Sequence, residues 1–449
     1  MKIIIAGAGE TGFHLAKLLS YESQDITLID LDKNALAYAE NHLDIRGVKG
    51  DATSISILKN ANVGSADLMI AVTGVETANI TVCVLANEMG VGQSIASISN
   101  TEFIENEEAI GFKKFGIDEL ISPEALAANE INLLLNQSAF TDTYQFEGGA
   151  LMMLGTTLSA EAPFVGKTVM EAAKIFPELH FMPIAIQRKG TQFTIIPRGT
   201  SEFKEGDNAY FVTTKGGVDE LCKLTGKERN VIKDVMILGG SKIGAKATED
   251  LSGNGFNVKL VERIPERAFD LADVLPKALV INGDGRNVEL LEEENLHDMD
   301  AFVSVTGNSE TNIMSCLIAK SKGVKKTIAL VENMDYFQLS QSIGVDTLIN
   351  KKLLAANSIF RYVRRGEVLA MTKLNNMNAE LLEFEVKYTS KVANTIIKEI
   401  DFPRTAVIAG VVRDKVGMIP LGDFKIKPAD KVVVCCLPKS IVQVEKLFV

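Results

Sequence analysis

Apolar, β-branched runs alternate with helical stretches through residues 1–136, and the same alternation returns across residues 234–350. In the first half the predicted strands are 2–6, 26–29, 45–48, 68–72, 94–98 and 118–121, and the helices between them include 10–20, 33–41 and 76–89. Strands that alternate with helices pair in parallel, because each crossover packs back on the sheet with a right-handed turn. The pattern predicts the α/β class, with two Rossmann-like, doubly wound parallel-sheet domains.

Two shorter regions lack this alternation. Residues 145–225 and 382–449 contain short strands separated by glycine and proline turns, and each region ends in a strand and a short helix. The two regions also match each other, since Asp207 and Asp430 occupy equivalent places at an offset of 223 residues. We therefore expect a small α+β domain after each Rossmann-like domain. The predicted domain ranges are 1–138, 139–226, 232–366 and 367–449.

A glycine-rich loop follows the first predicted strand in both halves. The first loop reads Gly-Ala-Gly-Glu-Thr-Gly over residues 7–12, and the second reads Gly-Gly-Ser-Lys-Ile-Gly over residues 239–244. An offset of 232 residues relates the loops, and it also relates Asp30 to Glu262. The offset becomes 233 for the pairs Asp51/Asp284, Thr73/Thr306, Asn79/Asn312 and Cys83/Cys316. A register held over this length indicates an internal duplication.

This loop pattern is typical of dinucleotide-binding sites. The first glycine makes a tight turn, the second lets a pyrophosphate approach the backbone, and the helix N-terminus offers free amides to the phosphates. Asp30 and Glu262 each lie 18 residues beyond the third glycine, where a carboxylate can accept hydrogen bonds from a ribose. Such an acid repels a 2′-phosphate, so the residues favour NAD or an adenine nucleotide over NADP. The alternative for either loop is an ordinary helix-capping turn.

The second loop departs from the pattern at its middle position. Ser241 stands where the first loop has Gly9, which puts a side chain where a pyrophosphate comes closest. The serine hydroxyl and the charge of Lys242 remain available to a phosphate. We expect NAD or NADH to prefer the first site, while the second accepts at most an adenine mononucleotide or stays empty.

Composition and charge narrow the class of protein. The chain has 449 residues and a net charge of −11, which argues against nucleic-acid binding and against direct attraction to an anionic membrane. No apolar run approaches the ~20 residues that span a bilayer. The four histidines are scattered, and the sequence shows neither a catalytic grouping nor metal-ligand spacing. The sequence therefore predicts nucleotide binding without catalysis, in a cytoplasmic protein that reaches a membrane only through a partner.

The motifs resemble a known family. The glycine loop with Asp30, Gly50-Asp51-Ala52, Val72-Thr73-Gly74 and Asn79 is similar to the RCK (KTN) domain that regulates potassium conductance. The small regions resemble its C-terminal partner domain, and the two-fold order of both modules is similar to the TrkA family. This resemblance implies a cytosolic regulatory subunit that binds NAD/NADH, with ATP/ADP possible. It also implies a ring of RCK domains, a homo-oligomer, beneath a membrane-embedded, TrkH-like potassium transport subunit.

The resemblance also implies site residues by position. The first set is Gly7, Gly9, Thr11, Gly12, Asp30, Asp51, Ala52, Thr73, Gly74 and Asn79. The second set is Gly239, Ser241, Gly244, Glu262, Arg263, Asp284, Thr306 and Asn312. In each set the loop would hold phosphates, the acid after strand two the ribose, and the aspartate after strand three the adenine pocket. Thr73 and Thr306 would close the site, although either could instead cap the helix that follows, and both roles are compatible.

Family members often carry an arginine after the fifth strand that reaches the phosphates, but residues 97–100 and 331–333 contain none. The helix dipole, Lys242 or a neighbouring subunit would then balance the phosphate charge. Two other functions use the same fold. An NAD-dependent dehydrogenase would need a proton donor beside the nicotinamide, and a regulator of potassium efflux or another exporter would differ only in its membrane partner.

Overall fold

The computed structural model describes residues 1–20, 24–100, 102–136, 140, 142–175, 181–191, 193–226, 232–332, 344–363, 370–374 and 377–448. By their internal contacts these residues form two units, each built from two separate stretches of chain. One unit comprises Met1–Asn132 and Lys233–Phe360, and the other comprises Leu133–Ile232 and Arg361–Val449. The boundaries predicted at 138/139 and 366/367 fall outside the described residues.

The first stretch forms a six-stranded parallel sheet. Its strands are β1 (Lys2–Ala6), β2 (Asp25–Asp30), β3 (Arg46–Lys49), β4 (Leu68–Ala71), β5 (Gln93–Ser97) and β6 (Glu119–Ile121). Their order is β3-β2-β1-β4-β5-β6, the order of a dinucleotide-binding fold. Ile3, Ile4 and Ile5 are all buried, because helices cover both faces of a parallel sheet. The predicted strands are confirmed to within one residue at each end.

Helices connect these strands. They are α1 (Glu10–Ser20), α2 (Lys33–His42), α3 (Ile55–Asn60), α4 (Glu76–Glu88), α5 (Glu102–Glu105), α6 (Glu107–Ile110) and α7 (Pro123–Asn136). Asp32 caps α2 by accepting a hydrogen bond from the Asn34 amide at 2.8 Å. Since α1 follows β1 directly and α4 follows β4, both helix N-termini lie at the carboxyl edge of the sheet, where this fold binds ligands.

The next stretch forms an antiparallel sheet with two short helices. Its elements are β7 (Asp142–Phe146), β8 (Leu151–Thr157), α8 (Val169–Ile175), β9 (Phe181–Gln187), β10 (Thr194–Ile195), β11 (Asn208–Thr214) and α9 (Val218–Leu224). The strand order is β10-β9-β11-β8-β7. Phe164 anchors one face of the sheet, with its ring centroid 5.2 Å from those of Phe181 and Phe203. This arrangement is the small α+β domain that the sequence predicted.

The second half repeats the Rossmann-like domain. Its elements are β12 (Asp234–Leu238), α10 (Lys242–Gly253), β13 (Asn257–Glu262), α11 (Pro265–Val274), β14 (Leu279–Asn282), α12 (Val288–Glu293), β15 (Ala301–Ser304), α13 (Ser309–Ser321), β16 (Lys326–Leu330), β17 (Thr347–Ile349) and α14 (Lys351–Val363). The order β14-β13-β12-β15-β16-β17 reproduces the first sheet strand for strand. The duplication read from the sequence is therefore a duplication of topology.

The last stretch repeats the small domain. Its elements are β18 (Ala370–Lys373), β19 (Glu380–Glu385), β20 (Ala406–Arg413), β21 (Val416–Met418), β22 (Lys431–Cys436) and α15 (Ile441–Phe448), with the strand order β18-β19-β22-β20-β21. The two small domains share one apolar core, in which Leu151 and Val212 of the first cluster with Leu381 and Val433 of the second. Each small sheet therefore needs the other to bury the apolar face that forms this core.

The aspartates that match between the small domains occupy the same structural position. Asp430 is 1% exposed, and both of its carboxylate oxygens accept hydrogen bonds from the Arg413 guanidinium, at 2.7 and 2.8 Å. Asp207, equally buried, pairs with Arg188. A buried carboxylate is tolerated only when it is paired and hydrogen-bonded, so this ion pair accounts for the retained aspartate in both copies.

Replacing Arg413 with alanine leaves the Asp430 carboxylate buried without its counterion. We expect Arg413→Ala to lower the free energy of unfolding by about 3 kcal/mol, the low end for a buried ion pair that loses one member, because Arg413 itself is partly exposed. Urea denaturation followed by circular dichroism measures this change. The matched control is Lys398→Ala, which removes the exposed pair with Asp423 and should leave the midpoint unchanged. Equal midpoints for the two variants would contradict the assignment.

Candidate nucleotide-binding sites

Two of the three glycines in the first loop are required by the packing of the chain itself. Gly7 has φ +109°, and a Cβ on it would lie 2.8 Å from the Val72 carbonyl oxygen. A Cβ on Gly12 would lie 1.8 Å from the carbonyl oxygen of Gly7, because α1 passes directly against the turn. Side chains at these positions are excluded whether or not a ligand binds.

Gly9 differs from both. A Cβ built on Gly9 meets no atom of the protein within 4 Å, and its φ lies outside the left-handed region. Packing therefore does not demand glycine here. Gly9 immediately precedes Glu10, the first residue of α1, so the uncovered backbone lies beside a helix N-terminus. Thr11, also predicted in the phosphate loop, is the second residue of this helix. Backbone amides at such a position suit an anionic group.

Asp30 and Glu262 hold their glycine loops to the ends of β2 and β13. The Asp30 carboxylate accepts hydrogen bonds from the amides of Ala8 at 2.5 Å and Asp32 at 2.7 Å. Glu262 accepts from the equivalent amides of Gly240 and Ile264, both at 2.8 Å. Each carboxylate oxygen retains a second lone pair, so the predicted ribose contact stays open. The loop-holding role was not predicted, although a carboxylate at the same position in both copies was its signal.

The aspartates after the third strands make different local contacts. Asp51 accepts hydrogen bonds at 2.8 Å from both the amide and the hydroxyl of Thr53, and these lower the pKa of Asp51. Asp284 is paired with the guanidinium of Arg286, which lowers the pKa of Asp284 to about 2. Both groups are carboxylates at neutral pH. Ala52, predicted to line the adenine pocket, is buried at the turn beside Asp51.

Asn79 and Asn312 are buried clamps between neighbouring strands. The Asn79 side-chain oxygen accepts from the amide and the hydroxyl of Thr73, and its amide donates to the carbonyls of Thr73 and Ser97. Asn312 makes the equivalent bonds with Thr306 and Leu330. We assign both asparagines a positioning role, since they fix the threonine and its neighbours, Gly74 and Gly307, at the carboxyl edge.

The alternative role of Thr73 and Thr306 as helix caps is wrong. The residue that caps α4 is Val75, with no side-chain bond, and Asn308 caps α13 by accepting from the Thr311 amide. Each threonine hydroxyl donates to its clamp asparagine at 2.6 Å and accepts, at 3.3 Å, from the amide of the capping residue, so its bonds stop short of the helix's first turn.

The second loop keeps the backbone of the first despite its serine. Gly239 has φ +107°, and a Cβ on Gly244 would lie 2.0 Å from the Gly239 carbonyl oxygen. The Ser241 hydroxyl donates to the Val305 carbonyl at 2.8 Å and accepts from the Gly244 amide at 3.3 Å, which caps α10. The hydroxyl is thus engaged within the loop, whereas the sequence left it available to a phosphate.

An open cavity of about 480 Å³ lies over the second loop. Of the predicted residues, Gly239, Ser241, Glu262, Arg263, Asp284 and Thr306 line it. Gly244 and Asn312 do not line it and instead support the loop and the clamp. Arg267 and Arg286 also line the cavity and were not predicted. Their signal in the sequence is closeness to predicted residues, because Arg267 stands four residues after Arg263 and Arg286 two residues after Asp284.

Polar contacts join the two Rossmann-like domains within their shared unit. The Lys242 ammonium donates to the Ser99 hydroxyl at 3.0 Å, beside Glu76, which accepts from the amides of Ser99 and Asn100. Lys242 was expected to add charge to a phosphate, but it extends to the first domain's segment after β5. In the opposite direction, Lys352 of α14 pairs with Glu10 at 2.7 Å. Residue 333, in the corresponding segment of the second domain, lies outside the described residues.

Comparison with known families agrees with this duplicated architecture. The TrkA-N domain family matches residues 3–123 and 235–351, and the TrkA-C domain family matches residues 155–226 and 381–449. The chain belongs to the TrkA family. Its match to the Trk system potassium uptake protein TrkA of Halomonas elongata is 31% identical and covers 100% of this chain and 98% of that protein. The TrkA protein of Azorhizobium caulinodans is 29% identical over the same shares.

Solved structures support the fold of this family member. The superposition with the RCK domain of GsuK covers 99% of this chain and 94% of the GsuK chain, with a TM-score of 0.62 and 15% identity. The GsuK channel bound to NAD has a TM-score of 0.63 and 16% identity, over 99% of this chain and 78% of that one. Within the described residues, no helix combines the length and apolar character needed to cross a membrane.

Valine at position 9 tests the loop without a steric penalty. We expect Gly9→Val to keep the melting temperature, because no protein atom lies within 4 Å, and to abolish NADH binding at the first site. The matched control is Gly253→Val at the end of α10, where a Cβ also meets nothing and binding should persist. Calorimetric titration with NADH measures the effect. Unchanged affinity in Gly9→Val would show that the loop is not a phosphate site.

Proposed function

We propose that this chain is the nucleotide-sensing regulatory subunit of a Trk-type potassium uptake system. The observation that carries the proposal is the first glycine loop, in which packing fixes Gly7 and Gly12 while Gly9 between them is left uncovered. A loop that served only as a helix turn would have no reason to leave that backbone bare. The second loop keeps the same backbone and lies under a cavity of about 480 Å³. Relatives named as Trk potassium uptake proteins match along the whole chain.

The residues that line the cavity over the second loop favour binding over catalysis. Among those that line it, polar groups are arginine, carboxylate, hydroxyl and amide, and no described lining residue is a histidine, cysteine, lysine or tyrosine. Hydride transfer needs a proton donor or acceptor tuned to neutral pH near the reacting carbon. The lining supplies hydrogen bonds and fixed charge, which are the requirements of a sensor.

At the first site, the loop of Gly7, Gly9 and Gly12 would hold the phosphates, with Thr11 in the first turn of α1. Asp30 would accept from the ribose, Asp51 and Ala52 would border the adenine, and Thr73 with Gly74 would close the carboxyl edge. NAD or NADH is the proposed ligand, with ATP or ADP as alternatives. The GsuK channel, which shares the fold, has been solved bound to NAD and bound to ADP.

The ion pair between Glu10 and Lys352 connects the first nucleotide site to the second Rossmann-like domain. Glu10 begins α1, directly after the loop, and pairs at 2.7 Å with Lys352, which also pairs with Glu332 at 3.1 Å. A phosphate at this helix N-terminus repels Glu10 and attracts Lys352, so occupancy alters the balance between the two pairs. A ligand shifts such a balance only by its differential affinity for the two arrangements, about 1.4 kcal/mol for each tenfold preference.

In this proposal the pore belongs to a TrkH-like membrane subunit, and the chain associates with it at the cytoplasmic face as a ring of RCK domains. The chain supplies the nucleotide sites, and the membrane subunit supplies the potassium path. Nucleotide-dependent rearrangement of the paired domains would bias the pore toward its open or closed state.

Asp30→Ala tests ribose recognition. The substitution removes a charged acceptor worth about 1.5–3 kcal/mol, so NAD affinity at the first site should fall roughly tenfold or more. Affinity for NADP should fall less, because the acid no longer repels its 2′-phosphate. Calorimetry gives both affinities, and thermal melting of Asp30→Ala reports the loss of the bonds to Ala8 and Asp32 separately. Equal losses for NAD and NADP would reduce Asp30 to a structural acid.

Potassium flux tests the function itself. In vesicles that contain the membrane subunit, NADH should change the flux when the parent chain is added, and Gly9→Val should remove that response while still associating with the membrane subunit. Gly253→Val should behave as the parent chain does. A flux that responds to NADH equally with the parent chain and with Gly9→Val would contradict sensing through the first loop.

A further inference from the structure

The two nucleotide sites differ most in charge on the side where this fold places adenosine. Seven residues that line the cavity stand at or after the ends of β13 and β14, and they include three arginines and two carboxylates: Glu262, Arg263, Ile264, Arg267, Asp284, Gly285 and Arg286. The equivalent positions of the first half, residues 30–32, 35 and 51–53, carry three aspartates and no basic residue. The second site has therefore gained positive charge where the first is acidic.

The arginines lie at a defined place in the fold. In a doubly wound domain the glycine loop meets the pyrophosphate, and the end of the second strand meets the adenosine ribose. Arg263 follows the last residue of β13, and Arg267 stands in the first turn of α11. Both side chains line the same cavity. An arginine at this place is how the fold accommodates a 2′-phosphate.

Glu262 does not remove this possibility. Its side chain is only 8% exposed, and its two oxygens accept from the amides of Gly240 and Ile264 beneath the loop. Asp284, the other lining carboxylate, is paired with Arg286 at 2.6 Å. Arg263 and Arg267 line the same cavity and are both exposed, whereas the two carboxylates are engaged by the loop amides and by Arg286.

We propose that the second site selects an adenine dinucleotide whose adenosine ribose carries a 2′-phosphate, an NADP-type ligand, and that Arg263 and Arg267 bind this phosphate. The inference rests on the proposed function, in which both glycine loops bind nucleotides. It gives the two halves different ligands: a ribose diol at Asp30 in the first, and a phosphorylated ribose in the second. For the second site it replaces two expectations: that the acid excludes a 2′-phosphate, and that Ser241 limits the site to a mononucleotide at most. The Ser241 hydroxyl is bonded within the loop, to the Val305 carbonyl and the Gly244 amide.

The test uses the full chain carrying Gly9→Val, so that the second loop is the unaltered one. Calorimetry compares 2′,5′-ADP with ADP, and NADP with NAD. We expect the 2′-phosphorylated member of each pair to bind at least tenfold more tightly. Arg263→Leu with Arg267→Ala, which installs the residues of the first half, should abolish that preference. Lys277→Ala, which removes a charge outside the cavity lining, should leave it intact.

Two further ligands fix the position of the phosphate. Binding of 3′,5′-ADP or ATP as tight as that of 2′,5′-ADP would overturn the assignment, because the site would then read phosphate charge in general. Equal binding of ADP and 2′,5′-ADP, or a preference that survives the double substitution, would also overturn it. These outcomes leave nucleotide sensing at the first loop standing, since that is judged by the NADH response of potassium flux with an intact Gly9. A chain that binds no nucleotide overturns both proposals.

Discussion

Each Rossmann-like domain depends on one close contact. The first turn of α1 or α10 lies against the carbonyl of the first glycine in the loop that precedes it. At Gly12 and Gly244 a Cβ would fall 1.8 and 2.0 Å from that carbonyl oxygen, so a side chain at either position would force the helix off the sheet. The contact sets the direction in which the helix leaves the loop. The amides at the helix N-terminus are thereby placed at the carboxyl edge of the sheet, beside the loop that the Asp30 or Glu262 carboxylate holds.

The duplication separates residues that the fold requires from residues that a ligand can select. The asparagine clamps share four hydrogen bonds in both halves, with one more from Ser304 in the second, and Cys83 and Cys316 each donate to a strand carbonyl at 3.3 Å. Such buried groups cannot change without leaving backbone atoms unpaired. Exposed residues around the sites differ between the two halves: Leu31 corresponds to Arg263, and Glu10 corresponds to Lys242. Divergence at exposed positions on a fixed framework is how one fold acquires two specificities.

Periodicity in the sequence was enough to predict the sheets, because parallel strands buried on both faces form apolar runs that are easily separated from helices. The glycine loops and the acids after them were also predicted, since their spacing is imposed by the backbone. What could not be predicted was the direction of side chains. Ser241 turns to cap its own helix, and Lys242 reaches Ser99 across 143 residues of sequence. Those choices depend on which atoms the tertiary structure brings near, and no local pattern records them.

The common core of the small domains has a consequence for how the chain is made. Phe146, Leu151 and Met153 pack with Leu381, Val433 and Cys435, which emerge from the ribosome more than two hundred residues later. Contacts of such long sequence separation form slowly, and an apolar sheet face that waits for its partner is open to aggregation. During synthesis, the first small domain therefore spends the translation of the whole second Rossmann-like domain with one face uncovered. Chaperone demand should accordingly concentrate on this interval of translation.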